Sequence, residues 1–155
     1  MALSTTDVGP AVQAATTEVF ESMAFMEAMS GGQEYQPDAS QPVFYTRLPI
    51  YKPSPAMVGL VIPQALALRL AEAMLLRECH MESDEFEIMD VLCEMSNTLA
   101  GSLLTHLMPD SDSFELGLPE CRVIGDPVNH KEWENAEEFL FHVDECGFCI
   151  TWEAS

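Results

Sequence analysis

Basic residues are scarce in this chain. Lys and Arg together number 6 against 26 Asp and Glu, for a formal net charge of −20 at pH 7. Such a surface repels phosphate backbones and anionic lipid, which argues against nucleic acid and acidic membranes as partners. What remains for the charge is a basic patch on a protein partner, or solubility alone. Long hydrophobic runs are also missing. The most apolar window, Ala56–Leu75, is interrupted by Pro63, Gln64, Arg69 and Glu72, so no membrane span is expected. The opening MALSTTDVGP has neither the basic start nor the apolar stretch of a signal peptide, and a cytoplasmic location is expected. Cysteines are five, at 79, 93, 121, 146 and 149. With no export signal they are expected as reduced thiols. Cys146 and Cys149 form a CxxC, but there is no second such pair to complete a structural zinc set. The expected place of this CxxC, in a hairpin between strands, is not that of a thioredoxin-type pair, so both cysteines read as packing and turn residues. His80, His106, His130 and His142 follow no metal-ligand spacing. No metal or cofactor of the chain's own is therefore expected, and His106, near the apolar side of its helix, reads as a core-edge histidine.

What is present suits one domain over residues 1–155. The chain is 48% apolar, enough for a sizeable core. A first helix is expected over Thr5–Ala28, with Pro10 in its early turns and Val12, Val19, Phe20, Met23 and Met26 on one face. The turn-rich stretch Ser30–Pro42 ends it. Val43–Tyr51 and Met57–Ile62 read as strands joined by a tight KPSP connection. Pro63 opens a second helix over Gln64–Cys79. Ser83 resembles an N-cap for a third helix over Asp84–Leu107, stopped by Pro109. Ser113–Gly125 reads as a bent strand broken at Pro119. Two period-two strands follow, with Cys146-Gly147 as the hairpin turn between them. The order predicts an α+β fold with helices packed on an antiparallel β-sheet.

The third helix carries the most informative pattern. At about 100° per residue, Ile88, Leu92, Met95, Leu99 and Leu103 fall on one side. Asp90, Glu94, Asn97 and Gly101 fall on roughly the opposite, solvent-facing side. Most such polar stripes are only solvated surface. This one holds two poor helix formers, Asn and a Gly that costs about 1 kcal/mol against Ala, where Lys, Glu or Gln would be free choices. A glycine there lets another surface come close. Glu94 offers a charged acceptor for an ammonium group. Asn97 offers an amide that both donates and accepts, and such an amide can hold a water in line for attack on a phosphoryl group.

Asp90, Glu94 and Asn97, with Pro119 standing 22 positions beyond Asn97, match a known motif: Asp or Ser, three residues, Glu, two residues, Asn, and a proline a little over twenty residues on. The arrangement resembles the CheC/CheX/FliY phosphatases of bacterial chemotaxis. The segment Leu116–Gly125 and the helix Ala11–Glu27 resemble the corresponding parts of CheX-type members, so the likeness spans most of the chain. CheC-type members carry two pseudo-repeats. Here Glu18 and Glu21 occupy the place where a second Glu/Asn pair could sit; position 21 is not Asn, so no second site is expected and the single-repeat CheX pattern is. The resemblance implies a CheC/CheX-like fold and an enzyme, a hydrolase that dephosphorylates the aspartyl phosphate of a CheY-type response regulator in two-component signalling. It implies that Asn97 orients the attacking water and that Glu94 binds the receiver's active-site lysine. Asp90 would lie at the edge of the contact, and Gly101 would give clearance. Mg²⁺ would be supplied at the receiver, and the chain would pair as a homodimer. The alternative is a non-catalytic binding module for a receiver domain or a flagellar switch protein.

Three features stay open at this level. The ten methionines suit core packing better than an adaptable docking surface. Trp133 and Trp152 fit either packing or a partner surface. The acidic run Glu82–Glu87 is either a charge bias at a helix N-terminus or a steering patch for a partner.

Overall fold

The computed structural model describes residues 5–31, 41–111, 113–129 and 132–155, with side chains from residue 8 onward. Most of the turn-rich stretch after the first helix, and His130, lie outside those residues. Within them the elements run α1 (Thr5–Ala24), β1 (Met29–Ser30), β2 (Val43–Lys52), β3 (Ala56–Pro63), α2 (Gln64–Leu75), α3 (Met81–Leu107), β4 (Glu115–Leu116), β5 (Glu120–Ile124), β6 (Glu137–Val143) and β7 (Cys146–Ala154).

The strands form one antiparallel sheet in the order β1-β6-β7-β3-β2-β4, with β5 also beside β2. β2 and β3 are a hairpin in continuous register from Val43↔Pro63 to Ile50↔Ala56. β6 and β7 are the second hairpin, and β3 and β7 join the two at the centre, with Val58 opposite Trp152 and Leu60 opposite Ile150. The connections interlock. α1 leads into β1, which pairs with β6 of the second hairpin; α3 leads into β4 and β5, which pair with β2 of the first.

Period-two alternation sends Phe44, Leu48 and Ile50 of β2, Val58, Leu60 and Ile62 of β3, and Phe148, Ile150 and Trp152 of β7 into one core beneath the helices. α1 adds Val12, Val19 and Phe20, with Phe20 stacked on Phe148 at 4.7 Å. α3 adds all five residues of its predicted apolar face, each buried. Full burial of an aliphatic side chain contributes roughly 1.5–3 kcal/mol, so this face fixes how α3 is rotated. On the opposite face of the sheet a smaller cluster forms from Val43, Tyr45, Val61, Ile124, Trp133 and Cys149. The Trp133 indole N–H donates to Glu138 at 2.9 Å. Trp152 lies in the main core, so both tryptophans pack within the chain.

Several boundaries differ from the sequence expectation. α1 ends at Ala24 and α2 at Leu75, each closed by a non-glycine residue in left-handed conformation, Phe25 (φ 56°) and Leu76 (φ 55°). α3 begins at Met81 and bends at Asp84 (φ −116°, ψ 17°). Asp84, not Ser83, tends the helix start: its carboxylate accepts the His80 backbone N–H at 2.8 Å and pairs with Arg77 at 3.5 Å. The β6–β7 turn is Asp144-Glu145, since Cys146 already pairs with Val143. Asp144 takes the positive φ (53°) that a tight hairpin needs, a conformation Asp tolerates better than most residues.

Candidate functional site

The regular part of α3 begins after the bend at Asp84, and from there its inner face is held by the core. Its outer face is therefore fixed in direction as well. Asp90, Glu94 and Asn97 are exposed, and no hydrogen bond or ion pair with the described residues ties down their side chains. The helix backbone beneath them is reinforced: the Thr98 hydroxyl donates to the Glu94 carbonyl at 3.1 Å, and the Thr105 hydroxyl to the Gly101 carbonyl at 2.9 Å. A Cβ placed on Gly101 would meet nothing within 4 Å. The fold itself thus gives no packing reason for glycine at that position.

The segment around Pro119 comes up against the same helix. Cys93 adjoins Glu94 but turns toward the sheet, where its S–H donates to the Pro119 carbonyl at 3.8 Å. The approach to that point is set by Gly117, whose N–H donates to the Pro49 carbonyl at 2.7 Å and where a Cβ would run into the Pro49 ring. Burial raises the Cys93 thiol and pushes Cys121 up to about 12, so both remain thiols near neutral pH and are poor nucleophiles. Among the described residues no group of three His, Cys, Asp or Glu side chains is placed to hold a metal ion, and no helix is long and apolar enough to cross a membrane.

The structure thus brings Asp90, Glu94, Asn97 and Gly101 onto one accessible stripe, with Pro119 docked beside it. The family described as chemotaxis phosphatase CheX matches residues 50–142, more than half of the 155. This chain belongs to the CheX family. The matched region takes in the whole of α3 and the Pro119 segment. Solved structures show the same fold. The chemotaxis protein CheX from Vibrio vulnificus superposes with a TM-score of 0.74 at 14% identity, covering 99% of this chain and 100% of that one. A CheC-like superfamily protein from Shewanella sp. PV-4 gives 0.72 at 18% identity, over 97% and 100%. The CheX of a CheX–CheY–BeF₃–Mg²⁺ complex from Borrelia burgdorferi gives 0.70 at 16% identity, over 94% and 95%. No curated protein matches the sequence.

Other residues fall partly where expected and partly elsewhere. His106 is partly exposed at the end of α3, where its Nε2 meets Glu18 of α1 at 2.9 Å. Ser102 donates to the same carboxylate at 3.0 Å. Cys146 and Cys149 both lie within β7, with Cys149 buried, and none of the five cysteines forms a disulfide. Met95 is buried and Met23, Met74, Met81 and Met89 pack against the core. Phe86 and Leu118, which the motif does not include, are large apolar residues standing exposed beside the stripe.

Proposed function

We propose that this CheX-family chain is a phosphatase that hydrolyses the aspartyl phosphate of a CheY-type receiver, with α3 as the docking helix. The observation that carries the reading is the free, outward-facing Glu94/Asn97 pair on a helix whose rotation is locked by five buried residues. Family membership and the CheX–CheY complex seen for a relative of the same fold support the choice of partner.

An acyl phosphate is already reactive, so the phosphatase has little covalent chemistry to perform. Catalysis is then mainly positioning. Asn97 accepts a hydrogen bond from one water through its amide oxygen and holds that water in line with the phosphorus. Glu94 takes the receiver's active-site ammonium in a charge-assisted hydrogen bond, which sets the docking register. Asp90 borders the contact, and Gly101 leaves room for the receiver backbone. The receiver brings the phosphoryl group and Mg²⁺. Pairing as a homodimer belongs to the same reading. β1 and β5 each pair along one side only among the described strands, which leaves edges for a second copy.

The deciding experiment follows phosphate release from phosphorylated CheY of the same organism, with the wild-type chain and with Asn97→Ala. Stimulated hydrolysis should fall roughly 100-fold in the variant, with an unchanged melting temperature because Asn97 is exposed. Saturable binding without acceleration by the wild type would turn the chain into a binding module. Full activity in Asn97→Ala would remove the residue from the mechanism.

A further inference from the structure

Along the exposed side of α3, the carboxylates from Glu82 to Glu94 other than Asp84 find no cation among the described residues. Each basic residue described is already matched: Arg47 with Glu120, Lys52 with Glu115, Arg69 with Asp144, Arg77 with Asp84 and Arg122 with Glu132, all at 4.0 Å or less. Glu82, Glu85, Glu87, Asp90 and Glu94 are exposed and form no ion pair with the described residues. Whatever docks on this helix must bring positive charge to it.

Two large apolar side chains interrupt that acidic surface. Phe86 is 81% exposed and sits one turn before Asp90. At about 100° per residue, Phe86, Cys93 and Asn97 fall within about 40° of one another around the helix, so Phe86 lies on the flank that Cys93 turns toward Pro119. Leu118 is 85% exposed and directly precedes Pro119. The contact of Cys93 with the Pro119 carbonyl sets Leu118 beside the turn of α3 that carries Glu94. Single exposed apolar residues are ordinary. Both stand on the side of the stripe where Cys93 meets Pro119, amid carboxylates unpaired among the described residues.

We propose that Phe86 and Leu118 are apolar anchors for the docking receiver, and that with the surrounding acids they select a receiver whose contact face pairs apolar hollows with a basic rim. The inference rests on α3 being the receiver-docking helix. It adds an affinity and selectivity role to residues outside the Glu94/Asn97 motif.

The test is steady-state dephosphorylation of phosphorylated CheY from the same organism by wild type, Phe86→Ala, Leu118→Ala, the double variant and Phe86→Leu. Phe86→Ala should raise KM about tenfold, Leu118→Ala less, and the double variant more than either. The value of kcat should stay within about twofold, and Phe86→Leu should recover most of the loss. Melting temperatures should match the wild type, since neither side chain is in the core. Wild-type KM in both alanine variants, or a loss confined to kcat, overturns the anchors and leaves the Asn97 mechanism standing. A wild-type chain that neither binds nor dephosphorylates the receiver overturns both, and that is visible before any variant is made.

Discussion

The helices α1 and α3 pack against each other, and each carries a glutamate followed three positions later by a second polar residue: Glu18 and Glu21 on one, Glu94 and Asn97 on the other. The spacing is the same but the surroundings are not. Glu18 is consumed internally, accepting from Ser102 and His106 of α3. Glu94 and Asn97 have no partner among the described residues. A polar group that the fold already satisfies gains little from a visiting partner, whereas a free one keeps its full hydrogen-bonding capacity for it. By this measure the free polar surface belongs to α3, which is why we propose it as the docking helix, with α1 as its support. The difference lies in tertiary contacts more than in the motif.

The largest effect that could break the comparison is on Asn97, as described above. Next is Glu94→Ala. Losing a charge-assisted hydrogen bond costs about 1.5–3 kcal/mol, which corresponds to a rise in KM of roughly 10- to 100-fold, with kcat less affected. Glu21→Asn makes the matching change on α1. It completes a Glu/Asn pair there, yet should add no activity, because Glu18 remains bound to Ser102 and His106. A second active site in the Glu21→Asn variant, detected as Asn97-independent phosphatase activity, would mean that spacing alone makes the site.

Much of this was legible in the residues. The period of Ile88, Leu92, Met95, Leu99 and Leu103 identified the buried side of α3 and, by elimination, the exposed stripe. The strands β2 and β3 were marked by β-branched and aromatic runs. The helix ends were harder to read, since Phe25 and Leu76 adopt left-handed conformations that glycine usually signals. β1 is two residues long and exists only through pairing with β6, with Met29 opposite His142. No local pattern encodes that, nor the His106–Glu18 contact across 88 positions. Gly147 is the turn-type residue in this stretch, but Asp144 meets the same backbone demand three positions earlier.

A change with opposite consequences for fold and function sharpens the comparison further. Gly101→Ala should stabilise α3 by about 1 kcal/mol, because alanine is the better helix former and a Cβ there meets nothing. That corresponds to a rise of about 2–4 °C in Tm for a chain of this size. If the glycine gives clearance for the receiver, KM should rise in the same variant. A more stable protein with wild-type KM would show that the position is merely tolerant.

The smallest expected effect concerns α1. The hydrogen bond from His106, then that from Ser102, holds the Glu18 carboxyl below its ordinary value of 4.5. A carboxylate depressed in the folded state adds stability that is present above its unfolded value and lost as pH falls through the folded one. Wild type should therefore melt slightly above Glu18→Gln at about pH 6, and the gap should close as the pH drops below about 4.5. The gap is small because the pair is solvent-exposed and screened; raising the salt should shrink it further. Phosphatase kcat should not follow this titration, since Glu18 touches α3 on its supporting side. A kcat that tracked the Glu18 titration would instead tie α1 directly to the chemistry and undo the division of labour between the two helices.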